Sequence, residues 1–210
     1  MSLIKIEDID ARSAWGLWKI EESFSDLIQM ADMEGGHKFQ NIGKSVKKNQ
    51  ESVTAWVLIK YLSQHYGIEY HGIIKDEHNK PFLAKDQAHI SIAHSFPYVA
   101  AQLHLDKPVG IDIENFTDKI LKIEQKYLNE QEILDANHEL AKLMVYWSAK
   151  EALYKIHGRK KISFEEQLEI NPFELQQSGI LEGKIINNHT IEIIELFFKV
   201  VDDYVTVYTL

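Results

Sequence analysis

Two long helical stretches, each closed by a glycine and each flanked by short strands with tight turns, predict an α+β fold built as two similar lobes. The first helix shows Val53, Trp56, Val57, Ile59, Lys60 and Leu62 at helical spacing, ending at Gly67; the second spans 139–157 and stops at Gly158. No sequence repeat accompanies this parallel, so the duplication rests on element order alone. In the first half, 12–20 reads as a strand, and Ser23, with Asp26 three residues on, caps a helix running to about Met33. Gly35-Gly36 and a lysine-containing loop lead into the long helix. Beyond Gly67, 68–74 reads as a strand, 76–81 as a turn and 89–93 as a strand, while 98–105 and 109–114 read as strands joined by the turn Asp106-Lys107-Pro108. In the second half Asn129 caps a short helix beginning at Glu130. The stretches 163–170, 180–186, 191–200 and 204–208 follow as strands, with Asn187-Asn188 and Asp202-Asp203 as turns. The boundary falls near Asp106, giving lobes of 1–105 and 106–210. Trp15, Trp18, Phe197 and Phe198 read as core.

Composition narrows the class of protein. The chain has 210 residues, 45% of them hydrophobic, enough for one generous core or two small ones. With no cysteine it has no disulfide, thiolate metal site or cysteine nucleophile, which fits a reducing cytoplasm. No apolar run approaches the ~20 residues of a spanning helix, and the N-terminus lacks the charge pattern of an export signal. A formal charge of −9 disfavours nonspecific nucleic-acid binding, so an anionic ligand must meet a local basic patch.

Chemistry concentrates in two stretches. In Val109-Gly110-Ile111-Asp112-Ile113-Glu114, alternation sends Ile111 and Ile113 to the core and puts Asp112 and Glu114 together on the other side. Two carboxylates so close repel unless a cation lies between them; a strand with a solvated face is the plainer alternative. In 146–158, Glu151 and Lys155 are four apart and share a helix face, as an ordinary surface pair would. The same face could also present a third carboxylate to a metal and a cation to a phosphate. Three carboxylates without His or Cys suit a hard ion such as Mg²⁺.

These motifs, Gly110-Ile-Asp-Ile-Glu114 and Trp147-Ser-Ala-Lys-Glu-Ala-Leu-Tyr-Lys155, resemble the paired signatures of the surfactin-synthetase-activating type of 4′-phosphopantetheinyl transferase. Upstream, Lys80-Pro81-Phe82 and Ile90-Ser-Ile-Ala-His94-Ser95 resemble the two motifs that precede them in that family, in the same order. The resemblance covers roughly 80–164. It implies two lobes related by pseudo-two-fold symmetry, coenzyme A as substrate in the cleft between them, and Mg²⁺ on its pyrophosphate. The implied activity is transfer of the phosphopantetheine arm to a serine of an apo acyl or peptidyl carrier protein, with release of 3′,5′-ADP, by a cytoplasmic, monomeric bacterial enzyme. Carried onto this chain, the metal ligands are Asp112, Glu114 and Glu151. His94 hydrogen-bonds the pyrophosphate, Lys155 contacts it and stabilises the leaving group, and Lys80 lies by the adenosine portion. Glu132 aligns with an acidic residue used near the metal or as a base, or is a solvated helix glutamate. Glu151, Glu132 or a metal-bound water could take the serine proton, and the sequence does not choose between them. Lys150 has at most a supporting role.

Two positions depart from the pattern. Ala93 stands where members usually carry Ser, with Ser91 or Ser95 as the replacement; Trp56 stands where many place an Arg for the nucleotide 3′-phosphate, with Lys44, Lys47 and Lys48 as the substitute clamp. These departures motivate an alternative, a weakened homologue that binds coenzyme A or a carrier without turnover. His138-Glu139-Leu-Ala-Lys142 lacks the second histidine of a zinc-protease helix and reads as a helix start. Arg159-Lys160-Lys161 reads as a solvated loop or as a contact for phosphate or an acidic carrier.

Overall fold

The computed structural model describes residues 2–31, 45–85, 88–158, 161–187 and 190–210. It is α+β throughout and divides into two units, Met1–Asp76 with Pro81–Pro108, and Glu77–Lys80 with Val109–Leu210.

The first unit contains β1 (Leu3–Asp10), β2 (Ser13–Lys19), α1 (Phe24–Ala31), α2 (Val46–His65), β3 (Ile73–Lys75), β4 (Pro81–Leu83), β5 (His89–Ser95) and β6 (Tyr98–His104). Four strands form an antiparallel sheet in the order β1-β2-β6-β5, so β5 is an edge; β3 pairs with β4. The helix α2 lies on this sheet, burying Val53, Val57, Leu58, Ile59 and Leu62 with Ala14, Trp18, Ile90, Val99, Ala101 and Leu103. Each large apolar side chain removed from water there contributes roughly 1.5–3 kcal/mol. Strand β1, with its weakly alternating Leu-Ile-Lys-Ile-Glu, is absent from the sequence-based expectation. The strand expected over 68–74 shrinks to Ile73–Lys75 because Gly67 and Gly72 hold φ of 67° and 97°, backbone that no strand adopts.

The second unit contains β7 (Ile111–Asn115), two 3₁₀ turns (Ile120–Lys122 and Glu124–Lys126), α3 (Glu130–Ala136), α4 (Leu140–Ile156), β8 (Leu168–Ile170), β9 (Ser178–Asn187), β10 (Thr190–Val201) and β11 (Tyr204–Thr209). Its sheet runs β7-β11-β10-β9-β8, all antiparallel, with β7 at one edge. Strands β6 and β7, expected to be a pair across the Asp106–Pro108 turn, belong to different sheets. The strand expected over 163–170 shortens to β8 because Ser163 and Gln167 close a turn on each other, with 3.0 Å bonds from Gln167 N–H to the Ser163 carbonyl and from Ser163 N–H to Gln167 Oε1. The core lies between α4 and one sheet face, where Leu143, Val145, Ala149, Ala152 and Leu153 meet Leu181, Ile185, Leu196, Phe198, Val205 and Val207. Trp15, Trp18 and Phe198 are buried as expected, whereas Phe197 is only half-buried beside Tyr208.

Candidate functional site

The site residues of the second unit are set by the register of β7. Asp112 pairs with Val207 and Glu114 with Val205, and directly paired residues of an antiparallel ladder share a face. Val205 and Val207 belong to the core under α4, so Asp112 and Glu114 turn toward that helix. This corrects the expectation that the carboxylates point away from the core. Ile111 and Ile113 are buried too, at 0% and 1% exposure, on the opposite face. Gly110 permits the approach: a Cβ there would sit 2.0 Å from the Ala152 carbonyl oxygen of α4, a separation no side chain tolerates.

Lys155, in the last turn of α4, meets the strand. Its Nζ donates to Asp112 Oδ1 at 2.8 Å and to the Ile111 carbonyl at 2.7 Å, and both Lys155 and Asp112 are buried. It is therefore no surface partner of Glu151. Lys80 Nζ donates to the Ile156 carbonyl at 3.1 Å, placing a second cation at the C-terminal end of α4, where the helix dipole favours it. Glu151 lies one turn before Lys155, half-buried like Glu114.

Whether these residues suit a cation turns on Asp112. Its Oδ2 is buried and has no hydrogen-bond partner, an anionic oxygen that a hard ion would satisfy. Among the described residues, however, no group of three or more His, Asp or Glu side chains stands at metal-binding spacing. Thus the structure does not gather Asp112, Glu114 and Glu151 into one cluster. Lys155 supplies the positive charge on Asp112, and like-charged carboxylates are not otherwise drawn together.

Glu132 and Lys150 behave as a different kind of unit. Asn129 caps α3 as expected, and the cap is a reciprocal capping box with Glu132, which the sequence reading did not include. Glu132 is 1% exposed, so it is no solvated glutamate. Its Oε1 accepts the Ile170 N–H at 2.8 Å, while Oε2 accepts the Asn129 N–H at 2.9 Å and Lys150 Nζ at 2.5 Å. Lys150, fully buried, spends its other two protons on the Tyr127 and Phe164 carbonyls, each at 2.8 Å. Burial pushes the Glu132 carboxyl up and the Lys150 ammonium down, and their mutual attraction opposes both shifts. With both oxygens engaged, Glu132 is not placed to take a proton from a substrate; it joins α3, β8 and α4.

In the first unit the candidates gather where β5 ends and α2 begins. His94 pairs with Val99 on the α2-covered face, and its Nδ1 lies 3.3 Å from Glu51 Oε2; the imidazole is 49% exposed and the carboxylate 10%. Glu51 was not anticipated. The signal available was its place four residues after Lys47, on the same helix face. Lys47 and Lys48 are exposed in the first turn of α2, and Lys47 Nζ stands 4.8 Å above the Phe96 ring. Ser45, the N-cap, makes no side-chain cap bond, and the turn has no acidic residue. Lys44, Arg159 and Lys160 lie outside the described residues. Ala93 is buried, as is Ser91.

Residues 108–208 match the sequence model of the 4′-phosphopantetheinyl transferase superfamily. The chain is also 32% identical over 123 residues to the 4′-phosphopantetheinyl transferase gsp of Aneurinibacillus migulanus, an alignment covering 55% of this chain and 51% of that protein. The chain thus spans about half the length of the curated relative it matches. No helix among the described residues is long and apolar enough to cross a membrane.

Proposed function

Because residues 108–208 match the sequence model of the 4′-phosphopantetheinyl transferase superfamily, we propose that this protein transfers the 4′-phosphopantetheine arm of coenzyme A to a serine of an apo acyl or peptidyl carrier protein. The observation that carries this reading is the buried Asp112–Lys155 pair with one Asp112 oxygen unsatisfied. Asp112, Glu114 and Glu151 are not clustered in this structure, but the unsatisfied Asp112 Oδ2 supports Asp112 as a Mg²⁺ ligand, with Glu114 and Glu151 as the further ligands that the ion would draw in; when bound it would supply charge neutralisation to the pyrophosphate.

The remaining work falls to side chains of this chain. In the transfer, the serine Oγ bonds to the phosphorus bearing the pantetheine arm as that phosphorus loses its bond to the bridging oxygen of the pyrophosphate, which departs on the 5′-phosphate of 3′,5′-ADP, and the serine proton passes to a carboxylate. Glu151, half-buried on α4, is the carboxylate left for that role once Glu132 is committed to the core. Lys155 donates one N–H to Asp112 and one to the Ile111 carbonyl, and the third, for which the described residues offer no acceptor, is the donor for the departing phosphate. His94 serves as a hydrogen-bond donor to pyrophosphate, oriented by Glu51, and Lys47 and Lys48 as the clamp on the 3′-phosphate. Lys80, fixed on Ile156, is a neighbour of the nucleotide end. The reading extends to a cytoplasmic monomer.

The test is to incubate the protein with coenzyme A, Mg²⁺ and an apo carrier, and to weigh the carrier. A gain of about 340 Da, the mass of the transferred arm, is expected. No gain with retained coenzyme A binding would leave a binding module, the alternative motivated by Ala93 and Trp56. For the clamp, dephospho-coenzyme A should bind more weakly than coenzyme A at low salt, with the difference shrinking as salt rises; equal affinities at low salt would remove Lys47 and Lys48 from it.

A further inference from the structure

The hairpin of β9 and β10 reaches past the end of β11. Strand β10 runs Thr190–Val201, but β11 pairs with it only over Leu196–Val201, with one further bond from the Leu210 N–H to the Glu195 carbonyl at 3.0 Å. Along a strand the backbone groups of alternate residues face alternate sides, so those of Ile191 and Ile193 point the same way as those of Glu195. Among the described residues nothing pairs with them there. The register with β9 is unbroken from Thr190 to Lys199, so neither a bulge nor a proline turns this edge away.

Side chains make the edge selective. Leu196 and Phe198 face the core under α4, so Ile191 and Ile193 lie on the opposite face, 63% and 61% exposed, with Ile180 beside them at 63%. On that face Glu182 and Glu195 are directly paired and both exposed, and like charges so placed repel. Glu192 is exposed on the other face of the same edge. None of the three is in an ion pair among the described residues, and Lys184, the cation opposite Ile193, is held by Glu169 at 2.6 Å. An edge guarded only by carboxylates repels an acidic chain, a second copy of this one with its formal charge of −9 included, and admits a basic one.

We propose that the open edge of β10 at Thr190–Ile194 docks an extended basic segment of another protein, which adds to the sheet as a strand antiparallel to β10. Main-chain bonds to Ile191 and Ile193 supply the affinity. Opposite those two isoleucines the segment carries apolar residues, and opposite Glu195 and Glu192 it carries lysine or arginine, which relieves the repulsion between Glu182 and Glu195. From its own N-terminus the segment therefore reads basic, any residue, apolar, basic, apolar. None of the residues assigned to transfer takes part, so the edge stands whether or not that reading does.

The probe is the dye-labelled peptide Lys-Thr-Val-Lys-Val, blocked at both ends, titrated with the full chain by fluorescence anisotropy and followed by amide exchange. Binding should saturate at low salt, weaken as salt rises, and slow exchange at the Ile191 and Ile193 N–H groups. The same peptide with both valines N-methylated lacks the donors that face β10 and should bind at least about tenfold more weakly. Ile193→Pro should have a similar effect, because it removes an N–H on the open side and leaves the ladder to β9 intact. The double variant Glu192→Lys with Glu195→Lys should prefer the peptide Glu-Thr-Val-Glu-Val, the reverse of wild type. No saturable binding at low salt would overturn the proposal, as would equal binding of the N-methylated peptide or full affinity in Ile193→Pro. A wild-type dimer in sedimentation that Ile193→Pro dissociates would overturn it in favour of a second copy.

Discussion

Both units place a contact between ionisable side chains of an edge strand and of the long helix that covers its sheet, yet the acidic and basic partners are exchanged between strand and helix. In the first, the strand supplies the base, His94 of β5, and the helix the carboxylate, Glu51 of α2, at 3.3 Å with the imidazole half in water. In the second, the strand supplies the carboxylate, Asp112 of β7, and the helix the cation, Lys155 of α4, at 2.8 Å with side-chain exposures of 6% and 10%. A pair open to water is screened and adjustable; a buried one is costly to break and holds its geometry. The lesson is that the same architecture produces an exposed, yielding contact in one unit and a rigid one in the other, according to where along the helix the charge falls. Glu51 sits in the second turn of its helix, and Lys155 in the last.

The comparison breaks most sharply at the deepest charges of the second unit. Lys150→Met leaves the Glu132 carboxyl buried without its counter-charge, and should lower stability by about 3–5 kcal/mol in urea unfolding. A loss under about 1 kcal/mol would mean that burial there is less complete than the structure has it. Next is Lys155→Ala. Loss of an ammonium that acts on a departing phosphate should lower kcat about a hundredfold, roughly 3 kcal/mol in a partly dry site, with a smaller change in coenzyme A affinity. Lys155→Arg should recover only part, since a planar guanidinium cannot occupy the same point. Unchanged single-turnover transfer in Lys155→Ala would remove this residue from the chemistry.

Acid should separate the units more gently. Burial raises the Glu22 carboxyl, but hydrogen bonds donated by Trp18 Nε1 and by the Ser2 and Glu21 N–H groups outweigh it and hold the group at about 2. A carboxyl depressed on folding contributes stability that is present above its unfolded value near 4.5 and is lost as pH falls from there toward 2. After solvent screening this amounts to ~1 kcal/mol or less, and Glu22→Gln should flatten that part of the stability–pH curve. The smallest effect belongs to the exposed pair. Glu51→Gln should change stability by less than about 1 kcal/mol, and a cost like that of Lys150→Met would erase the contrast between the units.

Much of this was legible in the sequence because it is local. The helix ending at Ile156, the cap at Asn129 and the closeness of Asp112 to Glu114 all follow from spacing within a few residues. What escaped depends on contacts distant in sequence. Strand alternation gave Asp112 and Glu114 a common face but assigned it away from the core, because the true face is decided by Val205 and Val207, some ninety residues on. Glu132 read as a candidate base or a solvated glutamate and Lys150 as a supporting motif residue, and only the carbonyls of Tyr127 and Phe164 show that Lys150 is fully consumed by the core. Gly110 looked like the opening of a motif; its reason is the Ala152 carbonyl lying where a Cβ would be.

Glu132 also has a bearing on how this unit comes apart. One carboxyl group bonds the first turn of α3, the N–H of Ile170 in β8 and the ammonium of Lys150 in α4, so none of the three elements can loosen without stripping the same buried charge of a partner. Such a knot favours all-or-none opening over fraying. The amide protons of α3, a helix of only seven residues that alone would exchange with solvent almost freely, should therefore exchange at the slow rate of α4, as members of a single cooperative block.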